Sequence, residues 1–255
     1  MDCISEGSDN ILRSRIEDTV RLCEKRGVPC FLGFLDLREQ ASAQSMLRNC
    51  VSGDMTVAFY GGYPEAERAY LAVSPSYYQA VEDDYPFDCI AFRYREQKQI
   101  THRDVLGTLM GLGLRRDAVG DILCGDGISV VFVRNEVSRF VTEQVDRIGG
   151  EGVTIIPDYA GKLPISIEYE EIRDTIASPR LDSVVKSLLR CSREKAADLI
   201  VRGSVSLNHT PTEAIAKHID VNDVLSIRGH GRYLIDQLGP ETKKGRLLLY
   251  ARRRL

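Results

Sequence analysis

A chain of 255 residues with 43% hydrophobic and 28% charged residues can bury two or three ordinary globular cores. Its longest strongly apolar run, residues 128–133, falls far short of the roughly 20 residues of a membrane-spanning helix. The start Met1-Asp2-Cys3-Ile4-Ser5-Glu6-Gly7 has no basic, apolar and small-residue sequence of a secretory signal, so a cytoplasmic protein without a membrane span is expected.

The net charge of −3 conceals an asymmetry. Residues 178–255 hold 15 Lys and Arg against 8 Asp and Glu, or +7, leaving 19 against 29, or −10, in residues 1–177. A basic terminal module on an acidic body suits a polyanion binder, chance clustering of charge being the plainer alternative. The seven cysteines (Cys3, Cys23, Cys30, Cys50, Cys89, Cys124, Cys191) are scattered singly. Without a C-x-x-C pair or His at zinc-finger spacing, they argue against a metal module and a disulfide framework. No metal, no cofactor and no catalytic residue is expected.

Along the chain, Ile11, Leu12, Ile16, Val20 and Cys23 recur at helical spacing until Gly27-Val28-Pro29 stops them. Strands are expected at 30–35, 55–60 and 69–73, a second helix at 37–49, and a short helix from Pro64 through Glu67. These elements make a small α+β domain over residues 1–75. A second α+β unit, residues 76–175, begins with a strand at 87–94. Thr101, with Asp104 three residues on, forms a variant capping box for a helix carrying Val105, Leu106, Leu109 and Met110. Strands at 121–124 and 128–134 flank Gly125-Asp126-Gly127 in hairpin order. A helix over 138–148 and strands at 153–156 and 165–169 complete the unit.

The third module, residues 178–255, carries the strongest signal. Leu181, Val184, Val185, Leu188 and Leu189 give one helical apolar face, and Ser192 caps a second helix that turns Ala196, Ala197, Leu199 and Ile200 inward. Gly203 stands where a left-handed residue ends a helix. Strands at 204–207 and 224–228 follow, the latter running into Gly229-His230-Gly231-Arg232, with a basic tail beyond. Arg193 and Lys195 occupy the first turn of the second helix, where the helix dipole disfavours cations by a few tenths of a kcal/mol. They form either a phosphate site with the free N–H groups of that turn or a plain solvated surface.

The order Arg180-Leu181-Asp182, Ser192-Arg193-Glu194-Lys195-Ala196, residues 199–208 and residues 221–229 resembles the ribosomal-protein S-four RNA-binding domain, with its αL motif, over residues 178–235. The resemblance places Arg180, Ser192, Arg193, Lys195, Arg202, Asn208, Arg228 and Arg232 on an RNA-facing surface. Glu194 departs from the neutral or basic residues often found there.

Upstream, Gly61-Gly62-Tyr63-Pro64-Glu65-Ala66-Glu67-Arg68, Thr101-His102-Arg103-Asp104-Val105-Leu106-Gly107 and Gly113-Leu114-Arg115-Arg116-Asp117 are similar to the YlmH family of bacterial proteins. That resemblance implies an RNA-recognition-like N-terminal domain and a second RNA-binding domain. It also implies ribosomal RNA and the large ribosomal subunit as partners, with peptidyl-tRNA, in rescue of stalled translation. His102, Arg103, Arg115 and Arg116 are additional RNA contacts or a structural cluster. His102-Arg103-Asp104 is no kinase loop, because Leu109 stands where that loop needs Asn. Asp104 and Asp121 fit capping and turn geometry better than acid–base chemistry. The alternatives to a quality-control role are a ribosome-assembly factor and an RNA-modifying enzyme of the pseudouridine synthase type.

Overall fold

The computed structural model describes residues 3–50, 53–165, 169–242 and 245–254. They form an α+β protein of two compact units, Met1–Ser166 and Ile167–Leu255.

The first unit opens with helix α1 (Cys3–Arg26), strand β1 (Cys30–Leu35), helix α2 (Leu37–Cys50) and strands β2 (Met55–Tyr60) and β3 (Ala69–Pro75). Leu12, Ile16, Val20 and Cys23 form the buried stripe of α1. Ile11, one position off that stripe, is 64% exposed. The antiparallel sheet runs β1-β3-β2, and every residue of β3 is buried because both of its faces are covered. Leu71 and Val73 meet α1 and α2 on one face, while Tyr70 and Ala72 point to the other.

A second sheet in the same unit takes the order β5-β6-β4-β9, from β4 (Phe87–Arg93), β5 (Val119–Gly125), β6 (Ile128–Arg134) and β9 (Thr154–Ile156). Helices α3 (His102–Gly111) and α4 (Asn135–Gln144) cover one face, burying Val105, Leu109 and Val141 against Ile90, Phe92, Val131 and Val133. Its opposite face contributes Phe132 and Phe87 to an aromatic layer shared with Phe34, Tyr70, Tyr63 and Tyr85. Ring centroids there lie 4.7 Å apart for Phe34–Tyr70 and 6.0 Å for Phe87–Phe132, both edge-on, the preferred geometry for aromatic pairs. Gly33 admits the Tyr70 ring, since a Cβ at that position would stand 1.9 Å from it.

Two elements of this unit differ from expectation. Residues 64–67 form a turn rather than a helix, because the Glu67 and Arg68 N–H groups donate to the Asp121 carboxylate instead of to preceding carbonyls. The helix expected over 138–148 begins at Asn135 and ends at Gln144. Ile148 instead belongs to a two-residue ladder of β7 (Arg147–Ile148) with β8 (Glu151–Gly152), reversed by Gly149 and Gly150 at φ 56° and 85°.

The second unit is a six-stranded antiparallel sheet in the order β10-β15-β14-β13-β11-β12, with two helices. Its strands are β10 (Tyr169–Ile176), β11 (Val205–Leu207), β12 (Thr210–Pro211), β13 (Val224–Ile227), β14 (Gly231–Glu241) and β15 (Leu247–Arg254). Helices α5 (Leu181–Leu189) and α6 (Arg193–Val201) bury Leu181, Val184, Val185, Leu188, Ala196 and Ile200 against this sheet. Gly203 follows α6 with φ 66°, as its position anticipates. Arg190 ends α5 with φ 48°, a left-handed conformation that costs an L-residue about 1–2 kcal/mol.

The segment beyond Arg232, expected as a basic tail, is instead the hairpin β14–β15 within the sheet. Leu249 and Ala251 of β15 are buried in its core. Of the strand expected at 165–169, Tyr169 opens β10, Ile165 lies outside any strand, and residues 166–168 are outside the described residues. No helix among the described residues is long and apolar enough to cross a membrane.

Candidate nucleic-acid interface

The start of the α5–α6 pair is organised around one carboxylate. Asp182, in the first turn of α5, has a side chain only 3% exposed, whereas those of Arg180 and Arg193 are 42% and 60% exposed. Arg180 Nε donates to Asp182 Oδ1 at 3.1 Å, and Arg193 Nε donates to Oδ2 at 2.8 Å. A buried anion therefore fixes two arginines that reach solvent. Burial pushes the Asp182 carboxyl upward, but hydrogen bonds and charge from Arg180 and Arg193 outweigh it and hold the pKa below the usual aspartate value.

This pairing resolves the dipole mismatch at Arg193. Glu194 is an exposed acid in the first turn of α6, where the dipole favours it. Lys195 is exposed, and its backbone N–H is capped by the Ser192 hydroxyl at 3.1 Å. Arg180 and Arg193 thus meet at Asp182, and Ser192 and Lys195 flank Arg193 at the start of α6.

The remaining expected positions lie elsewhere on this unit. Arg202 is at the far end of α6, roughly 13 Å along the axis from Arg193. It is exposed, with a loose 3.9 Å contact to Asp198. Arg228 is exposed nearby, its N–H donating to the Ser204 carbonyl at 2.9 Å. Asn208 sits at the opposite end of β11 and is built into the turn. With φ 48°, it accepts from the Val224 N–H at 2.9 Å and donates from Nδ2 to Asp223 Oδ1 at 2.8 Å. Arg232 is half-buried on β14, opposite Ser226 and Arg254. Near the chain end, Arg252 pairs with Asp236 at 2.8 Å and Arg253 with Glu170 at 3.4 Å, so two of the cations read as a basic tail are engaged within the sheet.

In the first unit, His102 and Arg103 begin α3, and Arg115 and Arg116 lie in the loop after it. Thr101 and Asp104 form a reciprocal capping box. Arg116 donates to the Val119 and Gly120 carbonyls and is half-buried. Partial desolvation, then the Arg116 guanidinium, lowers the His102 pKa, so at neutral pH the imidazole offers hydrogen bonds rather than charge. Arg115 is exposed and paired with Asp117 at 3.2 Å, and Arg103 is exposed.

Asp121, expected at the start of a strand with a carboxylate serving turn geometry, is a buried receptor on β5. Its carboxylate accepts from the Tyr63 hydroxyl at 2.7 Å and from the Glu67 and Arg68 N–H groups at 2.7 and 3.0 Å. Arg68 in turn donates to the Val119 and Phe34 carbonyls. The Gly61–Arg68 motif is therefore locked to the second sheet. Sequence reading missed Asp182 as an organiser, although its R-x-D spacing to Arg180 was visible.

Residues 81–159 match the family model for the RNA-binding domain in YlmH. The chain is 35% identical over 215 residues to the ribosome-associated protein quality control protein P2 of Bacillus subtilis (strain 168), covering 83% of this chain and 82% of the relative. Its fold is similar to that of a solved structure, the cell division protein YlmH from Streptococcus pneumoniae. That likeness has a TM-score of 0.51 at 14% identity and covers 59% of this chain and 90% of the other.

Proposed function

The chain belongs to the YlmH family, and from that premise we propose that it is a ribosome-associated RNA-binding protein that acts by binding rather than by catalysis. The observation that carries the reading is the Asp182 cluster, a buried anion that holds Arg180 and Arg193 toward solvent beside exposed Lys195. Preset cations of this kind suit a phosphate backbone, because their side chains lose less freedom on binding and arginine matches phosphate oxygens in a bidentate way. In this reading residues 178–255 work as an S-four module, following domains over 1–75 and 76–175. Arg202, Arg228 and Arg232 extend its RNA surface, and His102, Arg103 and Arg115 add contacts from the middle domain. Similarity to the Bacillus quality control protein supports a role in ribosome-associated quality control. In this reading that role is exercised on large ribosomal subunits obstructed by stalled translation, with peptidyl-tRNA as a further contact, as the YlmH resemblance implies.

Sucrose-gradient sedimentation tests the reading. The wild-type chain is expected with mature large subunits, and Lys195→Glu should move it to the top of the gradient without altering its melting. Wild-type protein found only with assembly precursors would overturn the quality-control role. A mass change in RNA incubated with the protein would overturn the non-catalytic one.

A further inference from the structure

Beside the Asp182 cluster lies a cleft of about 290 Å³ between the end of β10, one side of α5, the start of α6 and Arg246 before β15. Four cations line it: Lys186, Arg190, Arg193 and Arg246. Their charges are not equally available. Arg193 shares the single Asp182 carboxylate with Arg180, whereas Lys186 and Arg190 are exposed and have no carboxylate partner among the described residues. Arg246 donates to the Thr175 hydroxyl at 3.0 Å and to the Thr175 carbonyl, which orients its guanidinium without neutralising it. The single acid in the lining, Asp174, accepts from the Ser187 hydroxyl and the Thr175 N–H. Three uncompensated cations therefore oppose one engaged carboxylate.

We propose that this cleft binds a backbone phosphate of RNA. The inference rests on the RNA-binding reading above and adds Lys186, Arg190 and Arg246 to it. Small-molecule sites are typically about 300–1,000 Å³ and mostly apolar, whereas this cleft sits at the lower limit of size and is walled by charged and hydroxyl side chains. It suits one charged group with a short piece of chain attached. Arg193 belongs both to this lining and to the Asp182 cluster, so a strand crossing the start of α6 meets the cleft as its next phosphate position. The left-handed backbone at Arg190 turns the chain sharply between the helices and carries that side chain to the cleft rather than along α5.

Filter binding of deproteinised large-subunit ribosomal RNA to the full chain, across a salt series, tests the proposal. Lys186→Gln/Arg190→Gln should weaken binding about tenfold and flatten the slope of log affinity against log salt by about one, the counterion release of one phosphate contact. The charge-conserving Lys186→Arg/Arg190→Lys should bind as wild type. Wild-type affinity and slope in the glutamine variant, with weakened binding by Lys195→Gln, would overturn the cleft and leave the RNA-binding reading standing. Wild-type behaviour in both would overturn both. Lost binding in the charge-conserving variant would overturn the cleft by showing that shape rather than charge matters there. If the double glutamine variant melts early, Lys186→Gln alone decides, since this exposed position in the last turn of α5 should tolerate the change within about 0.5 kcal/mol.

Discussion

Asp121 and Asp182 are both buried carboxylates, 8% and 2% exposed, but they are satisfied in opposite ways. Around Asp121 the partners are a tyrosine hydroxyl and two backbone N–H groups, all drawn inward, so the carboxylate fastens a turn to a sheet. Around Asp182 the principal partners are two guanidiniums whose outer faces stay in water. One acid is spent wholly on the fold. The other trades its charge for the placement of two cations at the surface. Burial alone therefore does not separate a structural acid from a functional one, whereas the exposure of its partners does.

The largest effect that would test this contrast is expected from Asp121→Ala, which strands a buried hydroxyl and two N–H donors. Each such bond to a charged group is worth about 1.5–3 kcal/mol, so a loss of at least about 3 kcal/mol should appear in urea denaturation. RNA affinity of the folded fraction should be unchanged. If stability fell by less than 1 kcal/mol, water or neighbouring groups would have replaced the carboxylate, and the inward lock would be dispensable.

Next in size is Arg193→Glu, which sets a second carboxylate against Asp182. A loss of about 2–3 kcal/mol is expected, together with weakened RNA binding, because one cation serves both roles. Calorimetric melting of Arg193→Glu beside Lys195→Glu separates them, and equal melting temperatures would mean that Asp182 does not depend on Arg193.

Acid sharpens the comparison further. Because the folded Asp182 pKa lies below its unfolded value, its stabilisation is complete above the ordinary carboxylate range and is lost as pH falls through the lowered folded pKa. The difference in stability between wild type and Asp182→Asn should thus be steady near neutrality and shrink below about pH 4. A difference that grew on acidification would have the wrong sign. The smallest stability effect belongs to Lys195→Gln, within about 0.5 kcal/mol, with a measurable loss of RNA affinity in the same filter-binding assay.

Much of the local structure was legible because its causes are local. The stripe in α1, the Thr101–Asp104 capping box, the Ser192 cap and Gly203 after α6 all act within a few residues of the elements they define. The Asp121 lock was not, since its donors come from 53 to 58 residues earlier in the chain. At the interface, residue types pointed to Arg193 and Lys195 but could not tell that Arg193 shares a buried carboxylate with Arg180 while Lys195 has no carboxylate partner among the described residues. Asn208 was legible as a special position, but its side chain is occupied in holding β11 to β13, so Asn208→Ala tests that turn as much as any RNA contact. Lys186, Arg190 and Arg246 converge only because the last strand lies beside β10, a register no local pattern announces.

That register has a consequence for synthesis. Strand β15 lies between β10 and β14, and its pairing joins Tyr169 to Arg254 and Ile176 to Leu247. The earliest strand of the second unit thus waits for the latest, and residues 169–246 can leave the ribosome without the interior strand that completes their sheet. Until β15 emerges, β10 and the adjoining edge of β14 lack their ladder partner, the kind of exposed edge that recruits foreign strands. A nascent chain halted before Leu247 would hold both helices with Lys186, Arg190 and Arg193, but not the strand that joins β10 to the rest of the sheet.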